Sequence, residues 1–277
     1  MAKNIDNQAN NCYHILMNNY FCYERSAQGI SVELTDSPLI KEREMHAYHE
    51  ILYCEDSDFT LYTDNRRIKF QGDWLFVIPK GQYHLVDLSG AKRFTRLKIT
   101  IQEEILKGLP VSLFKSGISA FHPISMRCEL LIERLREILR WERNDSDDFF
   151  VHSATMMIIA ELELSRMNTD ITAFPIKDKT IMKIIDYISQ DLSRNLTVKA
   201  LAKIANVSPS FLTHKFKKEV GISLHRYILQ KRMVSAKERI DRGESPSKIY
   251  AYCGYNDYSS FYKAYLGYFD ASPSEKK

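Results

Sequence analysis

The sequence contains no long hydrophobic run. Its longest strongly apolar stretch is the five residues 156–160, whereas a membrane-spanning helix needs roughly 20 apolar residues. The first 20 residues are polar, include six Asn and lack an apolar core preceded by basic residues, which is unlike a secretory signal. We therefore expect a soluble cytoplasmic protein that has no membrane partner.

Sequence patterns of enzymatic chemistry are also missing. The five cysteines are scattered, without the close paired spacing of a zinc site or a redox motif. The sequence has no glycine-rich phosphate loop, no nucleophilic serine flanked by glycines and no histidine-rich metal spacing. On these grounds we expect no catalytic residue, no cofactor and no metal ligand.

Composition and charge indicate two folded units with different partners. The 277 residues are 44% hydrophobic and 27% charged, as in ordinary globular proteins, and this length favours two domains. Residues 178–277 hold 18 Lys and Arg against 10 Asp and Glu, a net charge of +8, whereas residues 1–177 hold 21 against 25, a net charge of −4. The basic unit suits a polyanionic partner, although charge alone would suit a membrane surface equally.

The N-terminal part has the pattern of a small β structure followed by helices. Leu97, Ile99 and Ile101 show the period of two that is typical of a strand. The predicted strands are residues 49–54, 59–63, 66–70, 74–78 and 93–101, with a break at Gln71-Gly72-Asp73 among others. Such spacing favours an antiparallel barrel or sandwich. Two amphipathic helices follow, at residues 126–141 and 148–167, and they either lie on the barrel or pair with a second subunit.

The C-terminal part predicts a helix-turn-helix motif. A helix at residues 181–192 leads to Thr197, which suits the N-cap of a short helix. Ser208 then places a capping side chain before Pro209 at the first helical position, and Gly221 suits the end of that helix. The second helix of such a pair can enter a major groove of DNA.

The same pattern returns after a long connecting helix at residues 224–240. The second motif follows the order of the first, with Ser245 and Pro246 at its start, Ala251 and Tyr252 in a short helix, Gly254 in the turn, and Asp257 as the cap of a last helix that ends near Tyr268. This repetition strengthens the DNA-binding prediction, because a single amphipathic helix with a polar face is common in any protein.

At this point the sequence resembles the AraC/XylS family of bacterial transcription regulators. The resemblance covers about residues 181–275 and is carried by LTVKALAKIANVSPSFLTHKFKKEVGISLHRYI, by Arg232 and Ala236, and by IYAYCGYNDYSSFYKAYLGYFDASPSE. It implies that two recognition helices enter successive major grooves of promoter DNA. It also implies a contact with RNA polymerase, and activation more often than repression.

The resemblance assigns contacts residue by residue. It implies base contacts from Ser210, Thr213, His214, Tyr258, Ser259, Tyr262 and Lys263. It implies phosphate contacts from Lys217, Lys218 and Arg226.

The two predicted motifs differ in charge. Residues 196–218 hold five basic residues and no acidic one, whereas residues 245–266 hold two and one. Gly267 also lowers the helix propensity of the last helix. We therefore predict that the first motif carries most of the DNA affinity, and that the second depends on tyrosine contacts, through stacking or packing on thymine methyl groups.

The N-terminal segments MHAYHEILY and GDWLFVIPKGQYH resemble a cupin-type barrel. In metal cupins these two motifs supply histidines and a carboxylate to one ion, and His46, Glu50 and His84 stand at ligand positions here. Glu44, however, stands where such enzymes have a further histidine.

Without a metal, the mouth of this barrel would bind a small-molecule effector. Trp74 or Tyr53 would form an apolar wall, and His46, Glu50 or His84 would make the polar contacts. His49, next to Glu50, should point to the opposite face of its strand.

We therefore expect an α+β protein in which a cupin-like antiparallel β-barrel with flanking helices precedes an all-α unit of two helix-turn-helix motifs joined by a long helix. The expected domains are residues 1–168, a linker at 169–178, and a DNA-binding domain at 179–277 with motifs at about 197–220 and 246–268. The expected function is a homodimeric, effector-responsive transcription regulator. Two alternatives are a metal-dependent cupin enzyme fused to a DNA-binding domain, and a regulator whose N-terminal domain serves only protein contacts.

Overall fold

A computed structural model describes residues 22–36, 45–64, 67–87, 95–115, 117–140, 145–165 and 178–274 of the chain. The predicted linker at residues 169–178 lies outside these ranges except for Asp178. Glu44 lies outside them as well.

The N-terminal part is an antiparallel half-barrel. In the described residues its strands are β1 (Cys22–Ala27), β2 (Ile30–Thr35), β3 (His49–Thr63), β4 (Arg67–Ile78), β5 (His84–Asp87), β6 (Thr95–Ile101) and β7 (Ser119–Phe121). Their order is β1-β2-β6-β3-β4-β7, and β5 pairs with β3. The predicted α+β class is confirmed.

The strands are longer than the sequence predicts. The predicted segments 49–54 and 59–63 are one strand, β3, with an irregularity between Cys54 and Ser57. The predicted break at Gln71-Gly72-Asp73 is wrong, because β4 runs through it. Gly72 has a φ of 83° there, a backbone conformation that only glycine adopts without strain, so it bends the strand without ending it.

The other regular elements of the described structure are helices. They are α1 (Glu103–Leu106), α2 (Met126–Arg140), α3 (Asp145–Ser165), α4 (Lys179–Gln190), α5 (Val198–Ala205), α6 (Pro209–Val220), α7 (Leu224–Asp241), α8 (Pro246–Ile249) and α9 (Tyr258–Phe269). The prediction that Ala251 and Tyr252 belong to a short helix is wrong, since α8 ends at Ile249 and a turn follows. No helix in these described ranges has both the length and the apolar content that a membrane span requires.

Four apolar clusters hold these elements together. One lies between one face of the sheet and α2 and α3, and another covers the opposite face near Leu52 and Phe76. A third joins the half-barrel residues Met45, Tyr62 and Tyr83 to α4, α5, α6 and α7. The fourth belongs to the second motif and packs against α7. The connecting helix α7 therefore contributes to the cores of both motifs.

Candidate nucleic-acid interface and effector site

The first recognition helix, α6, is built by the signals found in the sequence. The Ser208 hydroxyl accepts a hydrogen bond from the Phe211 amide at 3.2 Å, and Pro209 occupies the first turn. Gly221 ends the helix with a φ of 89°, which favours glycine. The helix buries Leu212, Phe216 and Val220. Because these residues recur every four positions, the opposite side of the helix is left to solvent.

That solvent side carries the predicted contacts of the first motif. The exposed residues are Ser210, Thr213, His214, Lys217 and Lys218. The Thr213 hydroxyl donates to the carbonyl oxygen of Ser210 at 2.9 Å, which leaves its methyl group and an oxygen lone pair available to DNA. Phe211 is also half exposed, at 50%. Phe211 is not among the contacts predicted from the sequence, although an aromatic residue in the first turn after a helix cap is a visible signal.

The basic residues of this motif are not equivalent. Lys215 forms ion pairs with Asp178 at 3.0 Å and with Glu219 at 3.3 Å, and these partners raise the pKa of its ammonium group. Within the described parts of the chain, Lys217 and Lys218 form no ion pair. The charge count from sequence therefore overstates by one the cations available to phosphate. Arg226 lies exposed on the first turn of α7.

The second recognition helix, α9, presents a mixed surface. Asp257 caps it by accepting a hydrogen bond from the Ser260 amide at 2.8 Å. Ser259 and Lys263 are exposed, whereas Tyr258 and Tyr262 are only partly exposed. The Tyr258 ring contacts Phe261 in the motif's core, with ring centres 6.0 Å apart. Tyr262 is therefore better placed than Tyr258 for an aromatic contact with a base.

The two motifs are tied to each other by Arg232 of α7. Its guanidinium donates to the carbonyl oxygens of Leu192 at 3.2 Å and Arg194 at 3.3 Å, ahead of the first motif. It also lies 5.7 Å from the centre of the Tyr255 ring in the turn of the second motif. This contact fixes the turn of the second motif against the segment that precedes the first.

A buried cluster of His46, Glu50 and His84 lies in the N-terminal part. His46 Nε2 lies 3.1 Å from Glu50 Oε2, and His84 Nε2 lies 3.9 Å from Glu50 Oε1. All three side chains are at most 5% exposed. Burial raises the pKa of the Glu50 carboxyl, but His46 and His84 lower it by more, so that pKa lies below its usual range.

The other predicted effector residues lie elsewhere. Tyr53 lies three residues from Glu50 in β3 and packs in the cluster that faces α2 and α3, so it does not share a site with Glu50. Trp74 pairs with Cys54 in the sheet, four residues from the strand partner of Glu50, or about 13 Å along the strand. Its ring stacks on His122, with ring centres 4.7 Å apart. The predicted apolar wall is therefore not formed by these two residues.

His49 points away from the cluster, as the alternation of a strand predicts. Its Nε2 lies 3.0 Å from Glu103, and its ring packs against Phe114.

The half-barrel contacts the helical part close to this cluster. The Tyr83 hydroxyl donates to the carbonyl oxygen of Val220, the last residue of α6, at 2.6 Å. The Tyr268 hydroxyl of α9 donates to the carbonyl oxygen of Met45 at 2.6 Å. Asp64 accepts hydrogen bonds from Tyr227 at 2.6 Å and from Lys231 at 2.9 Å in α7. Local sequence patterns contain no signal for these contacts.

Comparison with known proteins supports the DNA-binding assignment of the C-terminal part. A family model described as a helix-turn-helix domain matches residues 201–277. The probable transcriptional regulator LumQ of Photobacterium leiognathi is 30% identical over 122 residues, which are 43% of this chain and 44% of that protein. The lactose operon transcription activator of Staphylococcus xylosus is 27% identical over 48% of each chain. The chain thus spans less than half the length of these two relatives.

A solved structure is similar over a longer range but more weakly. ToxT from Vibrio cholerae is 12% identical with a TM-score of 0.39, over 89% of this chain and 97% of that chain.

Proposed function

The C-terminal part of this chain is an AraC-type helix-turn-helix DNA-binding domain, and from this premise we propose that the whole protein is a sequence-specific transcription regulator. The carrying observation is α6, whose buried face is fixed in the core while Ser210, Thr213, His214 and Lys217 are exposed on its other side. Because promoter DNA is its target, we place the protein in the cytoplasm.

In this proposal each recognition helix reads one of two successive major grooves. Polar side chains near the start of α6 contact base edges, and lysines near its end contact phosphates. Phe211 lies beside them and suits a thymine methyl group. Lys263, Ser259 and Tyr262 would act in the second groove. Arg226 lies on the first turn of α7, within reach of the backbone that flanks the first groove.

We expect the substitution Lys217→Gln to reduce the slope of log affinity against log salt by about one unit, because one phosphate contact and its released counterion are lost. The matched control is Lys215→Gln. Lys215 lies on the same helix as Lys217 but is held by Asp178, at the start of α4, and by Glu219 of α6, so its loss should leave the slope unchanged. The measurement is fluorescence anisotropy with a duplex selected from random DNA by the full chain. Equal slopes for both variants and the unmodified protein would remove Lys217 from the interface.

We further propose that the half-barrel binds a small effector and passes its effect to the helical part, and that the outcome is activation through a contact with RNA polymerase. Contacts at Tyr83, Met45 and Asp64 join the two parts. An effector can shift their arrangement only as far as its affinity for the two arrangements differs.

The proposed oligomer is a homodimer formed through α2 and α3. These helices cover the sheet, yet they also expose large apolar side chains on their outer side. The exposed residues are Met126, Leu130, Phe149, Met157 and Leu164, with exposures of 56% to 77%. On α3 the residues Phe149, Met157 and Leu164 are eight and seven positions apart, so they share one face. Several large apolar side chains exposed on neighbouring helices are typical of an interface.

We expect the substitution Leu164→Glu to convert the dimer to a monomer, because it introduces a charge into the apolar face. Leu109→Glu is the matched control, since Leu109 is exposed in a loop outside these helices. Sedimentation velocity at micromolar concentration measures both. The proposed dimer is wrong if the unmodified chain sediments as a monomer, or if Leu164→Glu and Leu109→Glu give the same dimer.

The cluster of His46, Glu50 and His84 is the observation that favours the alternative of a metal-dependent enzyme. If the cluster served an enzyme, metal binding would leave the affinity for DNA unchanged. An effector site predicts instead that metal binding and DNA binding are coupled. This difference decides between an enzyme and a regulator. A regulator whose half-barrel serves only protein contacts predicts neither metal binding nor coupling.

A further inference from the structure

The two histidines of the buried cluster are held in one tautomer. His46 Nδ1 lies 2.8 Å from the carbonyl oxygen of Tyr48, and His84 Nδ1 lies 3.3 Å from that of Gln82. A carbonyl oxygen only accepts, so each Nδ1 carries a proton and donates it. In the neutral ring each Nε2 then has a lone pair, and both Nε2 atoms lie next to Glu50. Histidine ligands of metals are usually oriented by such a donated hydrogen bond.

Atoms of this cluster also lack hydrogen-bond partners. In the described structure, neither His46 Nε2 nor Glu50 Oε1 has one. His46 Nε2 lies 3.1 Å from Glu50 Oε2, but a neutral ring that carries its proton on Nδ1 has no hydrogen on Nε2 to donate. A buried carboxylate with an unsatisfied oxygen is costly unless a cation or a donor compensates it. The Lys98 charge also acts on Glu50, but its ammonium group pairs with Glu33 at 2.9 Å.

The spacing of the ligand atoms fits a transition-metal ion. One nitrogen of each histidine and one oxygen of Glu50 all lie within 4.8 Å of one another. Two ligands bound to zinc at about 2.0–2.1 Å lie about 3.3 Å apart at a tetrahedral angle. His46 Nε2 is already near this distance from Glu50 Oε2, at 3.1 Å. His84 Nε2 lies 3.9 Å from the other carboxylate oxygen, Oε1, and needs to move closer by about half an ångström for both carboxylate oxygens to face the same ion. Two histidines and one carboxylate form a known ligand set for divalent zinc and iron.

The backbone on either side of the cluster holds both recognition helices. Met45 precedes His46 and accepts the hydrogen bond from Tyr268 of α9. Tyr83 precedes His84 and donates to Val220 of α6. The amide of Gly81 also donates to the carbonyl oxygen of His46 at 2.8 Å, which joins the two ligand segments. A shift of either histidine is therefore transmitted over one peptide unit to a contact with a recognition helix.

We propose that His46, Glu50 and His84 bind one divalent transition-metal ion, and that this ion is the effector that changes how the half-barrel holds α6 and α9. The metal site stands on its own geometry, whereas its role as effector rests on the proposed function in DNA binding. No metal is expected from the sequence, because it has no histidine-rich metal spacing and because Glu44 stands where metal cupins have a further histidine.

Metal binding is tested by itself with zinc, which has no redox chemistry. The full chain is dialysed against buffered Zn²⁺, and bound zinc is measured by mass spectrometry. Glu50→Gln keeps the size of the side chain but removes its charge, and it should lose one equivalent of zinc relative to the unmodified chain. His49→Gln removes a buried histidine of the same strand that points away from the cluster, and it should lose none. Equal zinc content in all three proteins would overturn the site.

Coupling is tested by anisotropy with the selected duplex, with and without Zn²⁺. We expect zinc to change DNA affinity by at least about five-fold, and DNA to change zinc affinity by the same factor, since coupling is reciprocal. The double variant Tyr83→Phe and Tyr268→Phe removes both transmitting hydroxyl groups. It should still bind one zinc ion, but its DNA affinity should respond by less than about two-fold.

The outcomes separate the two hypotheses. Zinc binding with unchanged DNA affinity would overturn the role of the metal as effector and leave DNA binding intact. If the full chain selects no duplex under either condition, the proposed function fails. Hydrogen exchange of residues 216–221 and 264–269, measured with and without zinc, then still reports whether zinc binding alters the recognition helices. Equal exchange rates under both conditions would overturn the proposed transmission.

Discussion

We expect the substitution Gly254→Ala to destabilise the second helix-turn-helix motif by about 2–5 kcal/mol. Gly254 has a φ of 77°, and a Cβ atom there would lie 2.3 Å from Arg232 Nη2 and 2.4 Å from the carbonyl oxygen of Leu192. The left-handed backbone costs an alanine about 1–2 kcal/mol, and overpacking adds about 1–3 kcal/mol. The backbone oxygen cannot rotate away, so the turn itself must move.

The consequence extends to DNA binding, because the contacts of Arg232 with Leu192 and Arg194 join the two motifs. Urea denaturation gives the free energy of unfolding. The matched control is Gly267→Ala in the last turn of α9, where a Cβ atom meets nothing within 4 Å and the residue is helical. That variant should gain roughly 0.5–1 kcal/mol. If both alanine variants were as stable as the unmodified protein, the close packing of the second motif's turn would be disproved.

Signals that act over a few residues were predictable from the sequence. The hydroxyl of Ser208 and the carboxylate of Asp257 cap their helices as expected, because an N-cap needs only its own backbone and that of the next three residues. Ser245 marks the start of α8 correctly, but its hydroxyl makes no capping hydrogen bond and instead pairs with that of Ser247. The position of a cap is thus easier to predict than its hydrogen bond.

Contacts between distant segments were not predictable. The sequence analysis began the sheet at residue 49, whereas β1 and β2 extend it at one edge through the pairing of β2 with β6. The short alternating segment Ile30–Thr35 becomes recognisable as a strand only beside Leu97 and Ile99, which complete its apolar face. Lys215 counted as a cation for DNA until Asp178, 37 positions away, was found beside it.

The candidate effector site was predictable in part. The two histidine-containing motifs correctly bring His46, Glu50 and His84 together. Tyr53 or Trp74 was predicted to form an apolar wall of the same barrel mouth, but strand alternation separates Tyr53 from Glu50. Distance along a strand separates Trp74. The helices α6 and α9 contact the half-barrel next to this site. Their contact residues lie more than 130 positions along the chain from the half-barrel residues that they touch, so local patterns could not predict them.

The docking of the half-barrel on the first motif leads to the second large expected effect, at Gly221. This residue ends α6 with a φ of 89°, and a Cβ atom there would lie 2.8 Å from Leu85 Cδ2 and 3.3 Å from the Tyr62 ring. We expect Gly221→Ala to cost about 1–2 kcal/mol through the backbone, and roughly 1 kcal/mol more through overpacking against the sheet. The measurement is again the free energy of unfolding in urea.

Comparison with Gly243→Ala isolates the overpacking contribution at Gly221. Gly243 follows α7 with a φ of 87°, but a Cβ atom there meets nothing within 4 Å, so it carries the backbone cost alone. The excess cost at Gly221 should largely disappear in a Leu85→Ala background, because the space left by Leu85 accepts the added methyl group, and such a double-mutant cycle measures coupling directly. Equal costs at Gly221 and Gly243 in the unmodified background would mean that the sheet does not rest on the end of α6 in solution. In that case a signal from the half-barrel would have to reach the DNA-binding part by another route.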